Sequence, residues 1–398
     1  MKIGIVTTWF ERGAAYVSRT YKNMLEREGH EVFIYARGGE EEKVSGEKWN
    51  ETYVTRDYGY RHFRITKRIY NAWIIENKID ALFFNEQQDF RIVIYTKKKY
   101  PKILLGAYID YYTERTRKWY NIYDFVVCNT QRHMQAMEGH PQRFYLRWGT
   151  DLDVYKPSDN EHDTVVFFHS VGMSARKGTD ILVNAFINGE CYKKSKLIIH
   201  TQIPIIKVTP YSREYLEQFN IEIIEKTVSA PGLYFLGDVY VYPTRLDGLG
   251  LTIYEALASG LPVITTDFPP MNEAVNESCG KLVKVKDFYC RNDAYYYPMA
   301  ICDEESLVNC MNYYINHPEE LAKQKKMARQ FAVERYKISE RSRELSSIFT
   351  NAKHLPLDSD IEHDIMRYYY KEKNDIFDYS EDNRLLLKLK ETIIGIFR

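Results

Sequence analysis

Short apolar runs alternate with amphipathic stretches along most of the chain. The runs that predict strands are residues 3–7, 32–36, 81–85, 103–107, 125–128 and 144–148 in the first half, and residues 164–169, 196–200, 221–225, 239–242 and 262–266 in the second half. The stretches between them predict helices, such as residues 14–28, which precede Gly29 where a capping glycine is typical. This alternation is typical of parallel strands covered on both faces, so the chain is predicted to form two Rossmann-like α/β domains.

The pattern also divides the chain into segments. Residues 149–160 are polar, contain Pro157 and are predicted to link the two halves. After about residue 302 the strand pattern stops, and helices are predicted over 304–316 and 318–349, with a break near Lys337. We therefore expect domains at 1–155 and 156–335, followed by a crossing helix and a helical tail at 336–398.

The last residues, LLLKLKETIIGIFR, place leucine and isoleucine near one face of a predicted helix and lysine elsewhere. Two interpretations of this stretch remain open. It is either a helix packed on the body of the protein or a helix that lies on a membrane surface.

Composition narrows the class of protein. The 398 residues include 55 Lys and Arg against 55 Asp and Glu, which argues against a nucleic-acid partner. No stretch reaches the ~18 uninterrupted apolar residues of a membrane span, and the first residues lack the apolar core of a signal peptide. The six cysteines are scattered, so reduced thiols are expected and a metal site is not. These features predict a cytoplasmic protein.

The segment 242–266, YPTRLDGLGLTIYEALASGLPVITT, carries the most chemistry. An apolar strand runs into a glycine-rich turn and then a helix, with Asp247 in the turn and Glu255 eight positions later. Loops at the carboxyl ends of parallel strands bind ligands in open α/β folds, and the amides of Leu249, Gly250 and Leu251 at a helix N-terminus suit a phosphate. A tight turn with helix capping is the structural alternative.

A second loop carries a basic pair. The predicted strand 164–169 leads into Arg176, Lys177 and Gly178, which open the next helix. Because the N-terminus of a helix favours acidic side chains, a basic pair there points to a bound anion such as a diphosphate. Two solvated cations at a helix start are the alternative.

Taken together, these motifs resemble one known family. Lys177-Gly178, the run 236–245, the run 247–251 with Glu255, and the run 258–263 look like the carboxy-terminal half of a family 4 glycosyltransferase. The resemblance extends over roughly residues 1–350 and is weaker in the first half. It implies an α/β fold of the GT-B type, with two Rossmann-like domains facing a central cleft, C-terminal helices that cross back, and here an extra helical tail.

The resemblance also implies roles for individual residues. The enzyme would be a retaining transferase that takes a nucleotide-diphosphate sugar as co-substrate and needs neither a cofactor nor a metal. Asp247 would hold hydroxyls of the donor sugar, Glu255 would bind the ribose, and Lys177 would stabilise the leaving diphosphate. Further donor contacts are implied for Gly172, Gly248, Leu249, Gly250, Leu251 and Thr252, and acceptor contacts for Gly13 and Tyr108.

The sequence departs from the family pattern at three places. Asp247 stands where the family usually has glutamate, which shortens the contact to the sugar by one methylene. Met173, not arginine, follows Gly172, so Arg176 is our candidate for the phosphate-binding arginine. The histidine common after a first-domain strand is missing from the segment 106–111, and Asp110 is our candidate for its place. A buried, tyrosine-rich loop without a catalytic role is the alternative there.

The acceptor is expected to be a glycan or a lipid-linked glycan. A predicted basic helix over 61–76, with Arg61, Arg64 and Arg68 on one face, and a second cluster at Lys97, Lys98, Lys99 and Lys102 would suit an anionic lipid surface. Two solvated surfaces are the ordinary explanation of these basic groups. If the lipid interpretation is right, the protein is peripheral at the inner face of a membrane.

Other functions remain open. The departures would also suit an inactive nucleotide- or glycan-binding protein of the same fold, and a phosphorylase or an epimerase of this fold is a further alternative. A metal-dependent transferase would need a D-x-D motif after a central strand, but the matches at 151–153 and 358–360 lie in the linker and in the tail. An NAD-dependent oxidoreductase would need a glycine-rich fingerprint after the first strand, where Thr7 and Thr8 stand instead.

Overall fold

The structure is a computed structural model that describes residues 1–38, 49–58 and 65–373. The chain divides into two compact units. The first unit comprises residues 1–129, 133–146 and those from Ser342 onwards, and the second comprises residues 130–132 and 147–341.

The elements of the described chain follow in order. The strands are β1 Lys2–Thr7, β2 Glu31–Ala36, β3 Val54–Arg56, β4 Ala81–Asn85, β5 Leu104–Tyr108, β6 Phe125–Cys128, β7 Arg143–Tyr145, β8 Val165–Gly172, β9 Ser195–Thr201, β10 Ile221–Glu225, β11 Val239–Tyr242, β12 Val263–Thr266, β13 Gly280–Val283, β14 Val285–Tyr289 and β15 Met299–Cys302. The helices are α1 Gly13–Arg27, α2 Lys67–Glu76, α3 Arg91–Lys99, α4 Thr116–Trp119, α5 Gln131–Ala136, α6 Thr179–Asn188, α7 Arg213–Glu217, α8 Leu251–Ala258, α9 Glu304–Asn316, α10 Pro318–Arg335, α11 Ile338–Asn351 and α12 Ser359–Arg367.

The first unit is built on a seven-stranded parallel sheet with the order β3-β2-β1-β4-β5-β6-β7. Strands β4, β5 and β6 are buried along their whole length, as expected for strands covered by helices on both faces. The strands predicted in the first half are confirmed, although β7 ends at Tyr145, before the end of the predicted run. Strand β3 was not predicted, because its three residues are only half-buried and too few to show a period.

The residues after Ser342 belong to the first unit. Phe349 of α11 packs edge-on against Phe83 and Phe125, with ring centroids 5.5 and 5.0 Å away. Asp364 of α12 accepts hydrogen bonds from the indole of Trp119 at 2.7 Å and from Arg115 at 3.1 Å. The predicted return of the last helices to the first domain is therefore confirmed. The break predicted near Lys337 lies between α10 and α11, and the apolar stretch 385–398 lies outside the described residues.

The second unit is built on a six-stranded parallel sheet with the order β10-β9-β8-β11-β12-β13. Its core includes Phe167, Leu197, Val241 and Ile264 from four neighbouring strands, each at most 1% exposed. The five predicted strands are confirmed. The edge strand β13 and strand β14 were not predicted, because their exposed or half-exposed positions interrupt the apolar runs. Strand β15 was not predicted either, although its four residues are apolar and mostly buried.

The basic surfaces predicted on the first unit are only partly described. Arg61 and Arg64 lie outside the described residues, and α2 begins at Lys67. The ammonium of Lys97 donates to the carboxylate of Asp124 at 2.9 Å, and Lys98 pairs with Glu362. These two lysines thus have partners within their own unit. Across the three described ranges, no helix is both long and apolar enough to cross a membrane.

Candidate functional site

The candidate site lies at the carboxyl edge of the second sheet. Strands β8 and β11 are parallel neighbours there, so the loops that follow them emerge side by side. The loop after β8 carries Lys177, and the loop after β11 carries Asp247. The sequence predicted these two side chains as partners in one site, and the structure brings them together.

Backbone contacts join the two loops. Gly178 has a φ of +75°, and a Cβ added to it would lie 2.1 Å from the carbonyl oxygen of Pro243. The carbonyl of Arg176 accepts hydrogen bonds from the amide of Arg245 at 2.8 Å and from the hydroxyl of Thr244 at 3.2 Å. The residue after Lys177 therefore has to be glycine, because only glycine allows both the left-handed conformation and the close approach.

Replacing Gly178 with alanine should destabilise the second unit by roughly 2–4 kcal/mol, since backbone strain and a backbone clash add. Gly232→Ala is the matched control, because Gly232 has a similar φ of +77° but only an ordinary contact 3.5 Å from its Cβ position. Urea unfolding of both variants measures the difference. Equal losses in the two variants would contradict the close approach at Pro243.

Lys177, Asp247 and Tyr242 form a closed cluster of hydrogen bonds, hereafter the Lys–Asp–Tyr cluster. The ammonium of Lys177 donates to Asp247 Oδ2 and to the hydroxyl of Tyr242, and that hydroxyl donates to the same Oδ2. The second carboxylate oxygen accepts from the amide of Gly248 at 2.9 Å. The side chains of Lys177 and Asp247 are only 18% and 19% exposed, so the ion pair is largely shielded from water.

The cluster holds its charges in defined states. Burial favours the neutral form of Asp247, but Lys177 with Tyr242 outweighs burial and holds the pKa of this carboxyl well below its ordinary value, with a further contribution from Arg176. Burial and the adjacent carboxylate raise the pKa of the Tyr242 hydroxyl, which therefore stays protonated and able to donate. The aspartate is thus an anion, held beside a cation and a phenol.

Arg176 lies beside the cluster but makes different contacts. It belongs to the short 3-10 turn Ala175–Lys177, and its Nε donates to the hydroxyl of Ser174 at 3.2 Å. Gly172, the last residue of β8, has a φ of +62° and starts this loop. The guanidinium is thus a second cation in the same loop as Lys177.

Glu255 lies on α8, in the helix that follows the Asp247 loop. Its carboxylate accepts hydrogen bonds from the hydroxyls of Tyr155 at 2.9 Å and Tyr234 at 2.5 Å. Burial raises the pKa of this carboxyl, while the two hydroxyl donors lower it and only partly offset burial. Sequence analysis did not find either tyrosine, because both are remote from Glu255 along the chain. The environments of the two acids are therefore opposite, since only Asp247 has a cation next to it.

The N-terminus of α8 adds unpaired backbone donors. Gly250 caps this helix with a φ of +76°, and its carbonyl accepts from the amide of Ile253 at 2.9 Å. The first N–H groups of a helix have no partner within the helix and carry partial positive charge. The amides of Leu249 to Thr252 and the ammonium of Lys177 therefore make this edge of the sheet suitable for an anion.

Gly13, Tyr108 and Asp110 lie in the first unit, at the carboxyl edge of its own sheet. Gly13 is the exposed first residue of α1. Tyr108 ends β5 and is buried, with its ring 5.9 Å from that of Tyr21, and Asp110 follows two residues later. Gly13 and Tyr108 thus belong to a helix and a strand, and the roles of all three residues toward an acceptor stay predictions.

The D-x-D matches have structural roles. Asp151 accepts hydrogen bonds from the amides of Asp153 at 3.0 Å and Val154 at 3.3 Å, which fixes a turn. Asp358 caps α12 by accepting from the amides of Asp360 and Ile361 at 2.9 and 3.1 Å. Within the described ranges, no group of three or more histidine, cysteine, aspartate or glutamate side chains is placed to hold a metal ion.

Sequence comparisons find a known family over the part of the chain that contains this site. Residues 162–291, which contain Lys177, Asp247 and Glu255, match the family described as Glycosyl transferases group 1. A stretch of 77 residues is 34% identical to the lipopolysaccharide core biosynthesis mannosyltransferase LpsB of Rhizobium meliloti. That stretch covers 19% of this chain and 22% of the length of the mannosyltransferase.

Solved structures extend the likeness to most of the chain. Sucrose-phosphate synthase from Thermosynechococcus elongatus has a TM-score of 0.68 at 13% identity, covering 88% of this chain and 98% of its own. HepE of Anabaena, solved in complex with UDP and glucose, has a TM-score of 0.65 at 16% identity, covering 88% and 99%. The two parallel sheets and these likenesses confirm the predicted α/β fold of the GT-B type. The family match confirms the resemblance to family 4 glycosyltransferases.

Proposed function

We propose that this protein is a retaining, metal-independent glycosyltransferase that moves a sugar from a nucleotide-diphosphate sugar to a carbohydrate or lipid-linked glycan. The observation that carries the proposal is the shielded ammonium of Lys177, held by Asp247 next to the N-terminus of α8. A leaving diphosphate needs positive charge that is in place before the bond breaks. Lys177 and the helix amides are positioned to supply it.

Each residue then has a specific task. Lys177 and Arg176 would neutralise the charge that grows on the diphosphate, with the amides of Leu249 to Thr252 as further donors. Asp247 would accept hydrogen bonds from hydroxyls of the donor sugar, and Glu255 from the ribose. Two side-chain cations and a helix N-terminus provide the charge compensation that a divalent ion provides in other transferases, which supports metal independence.

The acceptor is proposed to be a glycan of polysaccharide or lipopolysaccharide type. The mannosyltransferase named above acts in lipopolysaccharide core biosynthesis, and HepE was solved with UDP and glucose. Gly13, Tyr108 and Asp110 are our candidates on the acceptor side. We further propose that the protein works in the cytoplasm at the inner face of a membrane, where a lipid-linked acceptor would be available.

Millimolar UDP or GDP should raise the melting temperature in the presence of EDTA, since a nucleotide at 100 times its Kd adds about 2.7 kcal/mol to the stability of the unit that binds it. ADP and CMP are the comparison ligands. Stabilisation in EDTA by one nucleotide would identify the donor class and support metal-independent binding. No stabilisation by any of the four would contradict the diphosphate site.

The corresponding nucleotide sugar then tests the reaction itself. Proton NMR of the product reports the anomeric configuration, and retention of the donor configuration is the expected result. Donor hydrolysis without acceptor distinguishes an active enzyme from a binding protein, because an active transferase releases some free sugar. An inverted product would contradict the proposed mechanism, and absence of both transfer and hydrolysis would favour the inactive alternative.

A further inference from the structure

We propose that the hydroxyl of Tyr242 is a positioning group that fixes the carboxylate of Asp247 and the ammonium of Lys177 relative to each other. This inference rests on the proposed function and adds a residue to which the sequence analysis gave no role. Tyr242 ends strand β11, five residues before Asp247 and next to the loop that carries Lys177.

Tyr242 itself is held rigidly. Its side chain is almost fully buried, and its ring stacks on that of Tyr240 with centroids 5.6 Å apart and planes 21° apart. Its carbonyl accepts from the hydroxyl of Thr265 at 2.8 Å, which ties β11 to β12 at this point. The phenolic oxygen therefore lies at the edge of the sheet on a buried, stacked ring.

The hydroxyl serves both charged partners at once. It donates its proton to Asp247 Oδ2 and accepts one from the ammonium of Lys177. A lysine ammonium is a point charge on a flexible stem, so a second fixed acceptor restricts where it can sit.

The short side chain of Asp247 explains why a positioning hydroxyl is useful at this site. The resemblance places glutamate at this position in most relatives, and aspartate is shorter by one methylene. A short carboxylate close to its own backbone has few ways to be oriented, and here the amide of Gly248 takes one oxygen while Tyr242 and Lys177 share the other. The phenol thus occupies space near the carboxylate that a longer acid would need.

Tyr240 provides a matched control within the same strand. Both tyrosines are buried, at 0% and 1% exposure, and they stack on each other. Among the hydrogen bonds of the described residues, the hydroxyl of Tyr240 makes none to Asp247 or Lys177. Removing either hydroxyl leaves a ring of nearly the same size in the core, but only Tyr242→Phe removes hydrogen bonds to Asp247 and Lys177.

The test compares Tyr242→Phe with Tyr240→Phe. Donor hydrolysis and transfer are measured with UDP-glucose, UDP-N-acetylglucosamine or GDP-mannose, chosen by the nucleotide that stabilises the protein. We expect Tyr242→Phe to lower kcat about ten- to a hundredfold, the range for losing a hydrogen bond to charged groups, with little change in KM for the acceptor. Tyr240→Phe should stay within about twofold of the unmodified protein.

A second readout does not depend on catalysis. In protein labelled with nitrogen-15 lysine, the NMR signal of the Lys177 ammonium is assigned by its loss in Lys177→Arg. This signal should be sharp when the ammonium is held in place, and it should broaden in Tyr242→Phe.

A double variant gives a third test. Asp247→Glu should be better tolerated in combination with Tyr242→Phe than alone, because the missing hydroxyl makes room for the longer acid. The losses from the two substitutions would then not add.

The outcomes separate two failures. Equal kcat values for the two phenylalanine variants, with an unchanged Lys177 signal, would overturn the positioning role while leaving the transferase proposal intact. Additive losses with glutamate at position 247 would also overturn it. Absence of nucleotide binding and turnover in the unmodified protein would instead overturn the proposed function, and the Lys177 signal would still show whether Tyr242 holds the ammonium.

Discussion

Lys177→Met should lower transfer by about a thousandfold, the upper part of the range for removing one prepositioned group that stabilises developing negative charge. Methionine keeps an apolar stem of similar length, so the loop keeps its packing and loses the ammonium. The measurement is kcat for donor hydrolysis and for transfer, with the donor chosen by nucleotide stabilisation. Lys177→Arg is the charge-conserving comparison and should lose less.

The same substitution should also destabilise the second unit. Removing one partner of a largely buried ion pair leaves the other charge uncompensated, which costs about 3 kcal/mol in comparable cases. Asp247 retains the Tyr242 hydroxyl and the nearby Arg176, so part of the interaction persists. Thermal unfolding of the unmodified protein and of Lys177→Met at pH 7 measures this loss of stability.

A double variant separates stability from activity. In Lys177→Met combined with Asp247→Asn no charge is left unpaired, so stability should return most of the way to that of the unmodified protein. Transfer should remain lost, because neither the cation nor the carboxylate is restored. Full activity in Lys177→Met, or a double variant as unstable as the single one, would contradict the assignment of this pair.

The pH dependence of stability independently checks the direction in which the pKa of Asp247 is shifted. The pKa of Asp247 is lowered in the folded protein, so its contribution to stability is present above the ordinary carboxyl value of 3.8 and is lost as the pH falls below it. Without Lys177 the cation that offsets burial is gone, and the pKa rises. The stability difference between the unmodified protein and Lys177→Met should therefore shrink as the pH is lowered from 7 toward 4.

The sheets were predictable because their strands are buried on both faces. Strands such as β4 and β11 read as continuous apolar runs, and the turns between them carry glycine and proline. The hairpin of β14 and β15 was not predictable in this way, since Phe288 and Tyr289 are exposed in an isolated two-stranded sheet. A continuous apolar run appears in the sequence only where a strand is buried, so a half-exposed strand such as β3 cannot be recognised from its sequence.

The candidate site was predictable only as far as loops follow strands. Lys177 and Asp247 both follow the carboxyl ends of apolar runs, and parallel pairing of β8 with β11 brings them together. The sequence analysis gave Tyr242 no role for a different reason. Tyr242 reads as a core residue of a buried strand, and only the three-dimensional fold shows that its hydroxyl reaches the cluster.

Tyr155 and Tyr234 illustrate the limit of local patterns. They reach Glu255 from 100 and 21 positions away along the chain, one from the linker and one from a short 3-10 turn. No periodicity relates residues at such separations. The sequence could therefore identify Glu255 as a candidate and could not indicate that two phenols would hold it.

Glu255→Gln should leave the fold intact and weaken nucleotide binding about ten- to a hundredfold, because hydrogen bonds from ribose hydroxyls to a charged acceptor exceed those to a neutral one. Glutamine has the shape of the carboxyl group and can still meet the hydroxyls of Tyr155 and Tyr234. The measurement is the Kd of the stabilising nucleotide by calorimetry. Glu217→Gln, on the exposed face of α7, removes the same charge away from the site and should leave the Kd unchanged.

The effect of Glu255→Gln on stability should have the opposite sign to its effect on binding. The pKa of Glu255 is raised in the folded protein, so its stabilising contribution is present below the ordinary value of 4.5 and is lost as the pH rises through the folded pKa. Glutamine mimics the protonated acid, so the variant should match the unmodified protein at pH 4 and be more stable at pH 7. A carboxylate retained for nucleotide binding at the expense of stability predicts this combination, whereas a Glu255 without a role in binding predicts an unchanged Kd.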